Sequence, residues 1–171
     1  MSRRLDYTVE FAAPAEKIYQ DFTSREYWET LMAAYRTAAP QSEITRFHCD
    51  DSGTQIVFTQ TLRRAYLPPI ARPVMPVDMV ITREQHFEPY DHTANRARGT
   101  YKASIPAGPG HFGGRYTLTE TDTGSRLQLA SVCKVYIPLI GGKLEDLILS
   151  NITVLLDAEE AFTADWISQH H

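Results

Sequence analysis

Only two cysteines occur in the 171 residues, Cys49 and Cys133, far apart and in no C-x-x-C pair. Zinc ribbons and dithiol redox motifs therefore have no signature here, and two reduced, packed thiols are expected. Basic charge is not in excess: 17 Lys and Arg stand against 21 Asp and Glu, a formal net charge of −4. Nucleic-acid binding draws on a basic stripe to neutralise phosphates, so no nucleic-acid partner is expected. No apolar run follows Arg3 and Arg4. A signal peptide, a membrane span and stable membrane insertion are not expected, and cytoplasmic residence is the default expectation.

Catalytic signatures are equally scarce. No G-x-x-x-x-G-K-[ST], H-E-x-x-H or G-x-S-x-G run occurs, which removes the usual warrants for nucleotide hydrolysis, zinc proteolysis and esterase chemistry. Gly108, Gly110 and Gly113 do satisfy G-x-G-x-x-G. That pattern cradles a pyrophosphate only where a strand meets a helix, and here Tyr116, Leu118 and Glu120 alternate with threonines as a strand does, so a glycine-rich hairpin is predicted. His48, His86, His92 and His111 fall in separate strands or turns with no helical i, i+4 partner. Neither metal nor cofactor is expected. Asp50-Asp51 and Glu159-Glu160 are adjacent carboxylates, which point apart on a strand or helix and form no acid/base pair.

What is present is architecture. Hydrophobic residues make up 43% and charged residues 22%, a composition of ordinary globular proteins, and the length predicts one domain, residues 1–169, with the His170-His171 pair outside it. Leu5, Tyr7, Val9 and Phe11 alternate with polar residues as a half-buried strand. Pro14 opens a short helix to about Phe22, and Ser24 is placed to cap a second that buries Tyr27, Trp28, Leu31, Met32 and Tyr35. Six strand patterns follow: Glu43 to Cys49, Thr54 to Arg63, Met79 to Phe87, Asn95 to Ile105, Gly114 to Thr121 and Ser125 to Ile137. Short turn-forming stretches join several of them as hairpins. Two connections are longer. One is the proline-rich Tyr66 to Pro76, a packed loop or a lid over a cavity, and the other is Pro106 to Arg115.

From Gly141 to Trp166 no proline, and after the opening Gly141-Gly142 no glycine, interrupts a helical pattern. At about 100° per residue, Leu144, Ile148, Ile152, Leu155, Phe162 and Trp166 share one face, and Glu159 sits among them. About 26 residues make a rod of roughly 39 Å, which needs a broad sheet to receive it. The predicted fold is therefore α+β, in the order β-α-α-β6-α, with a bent seven-stranded antiparallel sheet around the last helix.

Polar residues on faces that alternation marks as inward are the candidate site. Arg83 and Gln85 share a face with Met79, Ile81 and Phe87; Gln60 lies between Phe58 and Leu62; Ser131 lies between Leu129 and Cys133. Each needs a partner, water or a ligand. With Tyr101, Tyr116 and Leu118 from the strands, and Leu144, Ile148, Ile152, Leu155 and Glu159 from the helix, they make up the expected ligand-binding set. If Arg83 reaches Glu159 the pair stays ionised. If the space between is dry, Glu159 becomes a neutral proton donor, and if the helix turns or water floods the cavity mouth at that level, it is an ordinary solvated carboxylate.

The order of elements, and above all Ile137-Pro-Leu-Ile-Gly-Gly-Lys-Leu-Glu145 opening the long helix, resembles the helix-grip (SRPBCC) superfamily of START lipid-transfer domains, birch-pollen-allergen-type proteins and polyketide cyclases. Leu62-Arg-Arg with Leu67-Pro68, Ile81 with Arg83, and Ile137 to Glu145 are similar to a small, mainly actinobacterial branch of it. The resemblance implies a cavity between curved sheet and last helix, binding lipids, sterols, polyketides or other apolar molecules, and carries over no catalytic residue. Three functions follow as expectations. The first is a carrier or sensor of a hydrophobic small molecule. The second is a cyclase or dehydratase using Glu159 or a nearby tyrosine on a polyketide-like or steroid-like substrate, and the third is a protein-interaction module.

Overall fold

The computed structural model describes residues 3–37, 39–104, 108 and 110–171, with the side chains of residues 62, 66 and 74 outside the description. Its elements run β1 (Arg3–Phe11), α1 (Ala15–Phe22), α2 (Arg25–Tyr35), β2 (Glu43–Asp50), β3 (Gly53–Leu62), β4 (Met79–Phe87), β5 (Arg96–Ser104), β6 (Gly110–Thr121), β7 (Gly124–Val135) and α3 (Gly141–His170). The seven strands form one sheet in the order β1-β7-β6-β5-β4-β3-β2, every neighbour antiparallel. Because β1 and β2 lie at opposite edges, the α1–α2 pair carries the chain from one edge to the other. This is the expected α+β arrangement.

Local chemistry explains the short helices. Ala15, Ile18 and Phe22 are buried on one side of α1, the spacing of an amphipathic helix. Glu120 of β6 accepts a hydrogen bond from the Ala15 N–H at 3.0 Å, filling one of the donors that a helix start leaves open. In α2 the buried residues are Tyr27, Trp28, Leu31 and Met32; Ser24 occupies the cap position as expected but makes no side-chain capping bond.

Gly110–Gly114 belongs to β6, so the expected glycine-rich connection is shorter than the sequence indicated, and residues 105–107 and 109 of it lie outside the described residues. Glycine is tolerated in this strand because neighbouring backbones come close: a Cβ on Gly114 would lie 2.0 Å from the Ala130 carbonyl oxygen. The stretch between β3 and β4, which includes the proline-rich connection, contains two single-turn 3-10 helices, Arg64–Tyr66 and Arg72–Val74. Its Arg64 and Arg72 side chains donate to carbonyls of the same stretch. Cys133 is buried as expected, whereas Cys49, on the edge strand β2, is exposed. At the end of α3 the His170 ring stacks on Trp166, with centroids 3.8 Å apart, and His171 Nε2 lies 2.9 Å from Asp21.

Two apolar clusters hold α3. At its start Leu144 packs with Cys133 and Val135, joined by Ala71 from the proline-rich connection and by Ile137 and Ile140. Glu145, 1% exposed, accepts a hydrogen bond from the Val135 N–H at 2.9 Å and faces Arg3 and Lys134 at 3.9 and 4.0 Å. At the other end Trp166 and Phe162 meet Tyr27 edge-on, each with ring centroids 5.6 Å away. The Tyr27 and Thr163 hydroxyls are 2.8 Å apart. Between these ends, from Asp146 to Phe162, no residue of α3 is fully buried.

Candidate functional site

Under that middle span lies a cavity of about 170 Å³, bounded by the concave face of the sheet, by α2 and by α3. Its walls are mostly apolar, with Val9, Phe11, Leu31, Phe87, Leu127, Leu129, Ile152, Leu155 and Leu156 among them. Of the residues expected at a site, Gln60, Ile81, Arg83, Gln85, Tyr101, Tyr116, Leu129, Ser131, Ile152, Leu155 and Glu159 border it.

Others on the expected set lie elsewhere. Phe58 and Leu118 are fully buried in the core covered by α1 and α2. Leu144 and Ile148 belong to the cluster that fastens the start of α3, before the helix leaves the sheet. Met79, at the first position of β4, is only half-buried and does not line the cavity. The side chain of Leu62 lies outside the described residues.

The polar centre is an ion pair between Arg83 Nη1 and Glu159 Oε1 at 2.7 Å, with side chains 11% and 18% exposed. The Tyr35 hydroxyl donates to the same Glu159 oxygen, and the Arg83 guanidinium lies over the Phe58 ring, 4.8 Å from its centroid. Burial alone would depress the pKa of Arg83, but the charge of Glu159 and the Tyr35 hydroxyl outweigh it and the net direction is up, so Arg83 remains a cation. Burial, then the Glu159 charge, raises Tyr35. Of the expectations for Glu159, the contact with Arg83 is the one the structure has.

A second polar group spans the sheet floor. Register sets Gln85 opposite Tyr101, and sets Gly114 opposite both Tyr101 and Ser131. With no side chain at Gly114, the Tyr101 hydroxyl reaches across the intervening strand to bond Ser131. Burial raises the Tyr101 pKa more than the Ser131 bond lowers it. Tyr116 is also raised by burial, then by the charges of Tyr19 and Glu88, and its buried hydroxyl has no partner among the described residues. Near the cavity rim the Tyr7 hydroxyl donates to Asp157 at 2.6 Å and to Glu160 at 3.0 Å. Burial, then these two carboxylates, raises it. Among the described residues no group of three or more His, Cys, Asp or Glu is arranged to hold a metal ion.

Several bordering residues escaped the expected set, among them Tyr7, Tyr27, Trp28 and Glu160. Tyr7 carried a usable signal, because it shares the inward phase of β1 with Val9 and Phe11. Glu160 carried none, since it is adjacent to Glu159 and a helix turns neighbouring residues apart.

A bent antiparallel sheet closed by a long C-terminal helix over a cavity defines a helix-grip protein, and solved structures agree. Norcoclaurine synthase from Thalictrum flavum, in complex with dopamine and hydroxybenzaldehyde, superposes with a TM-score of 0.61 at 15% identity, covering 100% of this chain and 89% of that one. Ara h 8.0201 gives a TM-score of 0.62 at 10% identity, over 99% of this chain and 100% of that one. At such identities the likeness concerns the fold. The chain belongs to the family described as "Protein of unknown function (DUF2505)", whose model matches residues 6–167. It is 29% identical over 175 residues to an uncharacterized protein of Mycobacterium tuberculosis H37Rv, with 99% of each chain covered. No described helix is long and apolar enough to cross a membrane.

Proposed function

We propose that this protein binds a hydrophobic small molecule between its sheet and α3, as a carrier or sensor. The observation that carries this reading is the cavity itself: mostly apolar walls and a few fixed polar side chains, the composition of ligand pockets in general. Its volume narrows the ligand. An engineered cavity of about 150 Å³ takes up a benzene molecule, so about 170 Å³ suits one ring. A sterol or a long acyl chain exceeds that volume. The pairing of Glu159 with Arg83 and Tyr35 weighs against its use as a free proton donor, and hence against the cyclase or dehydratase reading.

Native mass spectrometry of protein purified from its own host tests the proposal. A discrete small-molecule mass, lost on denaturation and restored by back-addition, is the expected result. Protein that emerges empty, and whose melting temperature and amide spectra ignore one-ring apolar compounds, would refute it.

A further inference from the structure

Resting on that reading, a further question is which one-ring molecules the cavity selects. Its central charges cancel in place, since Arg83 and Glu159 face each other at 2.7 Å. A carboxylate ligand meets a guanidinium already engaged and, near the rim, the further carboxylates Asp157 and Glu160 around Tyr7. An ammonium ligand competes with Arg83 for Glu159. At the Arg83–Glu159 centre either ion leaves one charge in an apolar enclosure without its own counter-ion, which is costly; an ammonium held instead at the rim by Asp157 and Glu160 does not reach that centre's polar groups.

Neutral polar groups fare better. Tyr101 and Ser131 satisfy each other. Gln60 and Gln85, which both border the cavity, make no side-chain hydrogen bond among the described residues, and each amide offers two donors and an acceptor. The bonds to Glu159 from Tyr35 and Arg83 both fall on Oε1, leaving Oε2 as an acceptor. We propose that the cavity selects an uncharged one-ring molecule with both a hydrogen-bond donor and an acceptor, of the aromatic amide or phenol class, seated on the Gln60 and Gln85 amides beside Glu159 Oε2.

Four probes of similar size test this on the full chain at neutral pH: toluene, benzamide, benzoate and benzylamine, titrated by amide chemical-shift perturbation. One or two net hydrogen bonds predict benzamide binding roughly 5-fold or more tighter than toluene. Benzoate and benzylamine should bind about 10-fold or more weaker than benzamide, because each carries an unmatched charge. Gln85→Met and Gln60→Met keep an unbranched side chain of similar length and should bring benzamide to within about 2-fold of toluene, with toluene itself unchanged. Two variants guard against one failing to fold.

If benzoate or benzylamine binds tightest, or if the wild type fails to distinguish benzamide from toluene, this inference falls while ligand binding stands. Retention of the benzamide preference in both variants also overturns it. If none of the four binds, toluene included, the cavity-binding reading fails and this one with it.

Discussion

Replacing Glu145 by alanine probes how the last helix is fastened. The carboxylate is 1% exposed and accepts the Val135 N–H at 2.9 Å. Its removal leaves that backbone donor buried and unpaired, a cost of about 1–3 kcal/mol. The larger cost of breaking a buried ion pair, about 3–5 kcal/mol, arises when the remaining charge is stranded away from water. Here it does not apply, because the Arg3 and Lys134 side chains are 46% and 25% exposed and lie 3.9 and 4.0 Å away, so both rehydrate. For a chain of this size, about 1–3 kcal/mol corresponds to a melting-point drop of roughly 2–12 °C. Glu145→Gln keeps an acceptor of the same shape and should lose less than half as much. Urea and thermal unfolding of both variants provide the assay. A Glu145→Ala protein melting within about 1 °C of wild type would refute the argument; so would a glutamine variant as weak as the alanine one, since charge and not the acceptor would then matter.

Glu159→Gln leaves Arg83, 11% exposed, without its counter-ion, and should cost about 2–4 kcal/mol, of which Arg83→Met in the same chain restores a large part; a single variant as stable as wild type would refute the pairing. Burial, then Glu145, pushes the Cys133 thiol from 9.0 up to about 11, and burial likewise raises the phenols of Tyr27, Tyr35 and Tyr116 from 10.0. Since the folded values exceed the unfolded ones, this stabilisation is complete below pH 9.0 and declines as pH rises toward and past 11. The urea midpoint should hold between neutrality and pH 9.0 and fall above it; a midpoint unchanged at about pH 10.5 contradicts it. A maleimide should label one thiol per folded chain, the exposed Cys49, and both after urea unfolding, with two labels on the folded chain as the contrary result by mass spectrometry.

The strands are legible because alternation has a period that no helix imitates, and the Met79–Phe87 pattern matches both ends of β4. The same phase argument placed Arg83 and Gln85 on the inward face and Glu159 among the apolar positions of α3, all three bordering the cavity. Glu145 was not legible. Its partner is a backbone N–H ten residues earlier, and backbone donors leave no mark in a sequence. Tyr35 was read as a packing residue, and its bond to Glu159 depends on how α2 and α3 meet across 124 residues of chain. Gly110 and Gly113 read as loop because glycine is depleted from strands, whereas here adjacent backbones approach too closely for a side chain.

The way α3 is held has a mechanical consequence. Gly141, Leu144 and Glu145 are buried at its start and Thr163 and Trp166 near its finish, with no fully buried residue between. Polar ties cross that span: Glu159 to Arg83 and Tyr35, and Asp157 and Glu160 to Tyr7. Ile152, Leu155 and Leu156 line the cavity on the same span. Under the proposed ligand-binding reading, a guest too large for the cavity must break those ties to lift the helix, so polar contacts and not apolar ones set the limit on its size.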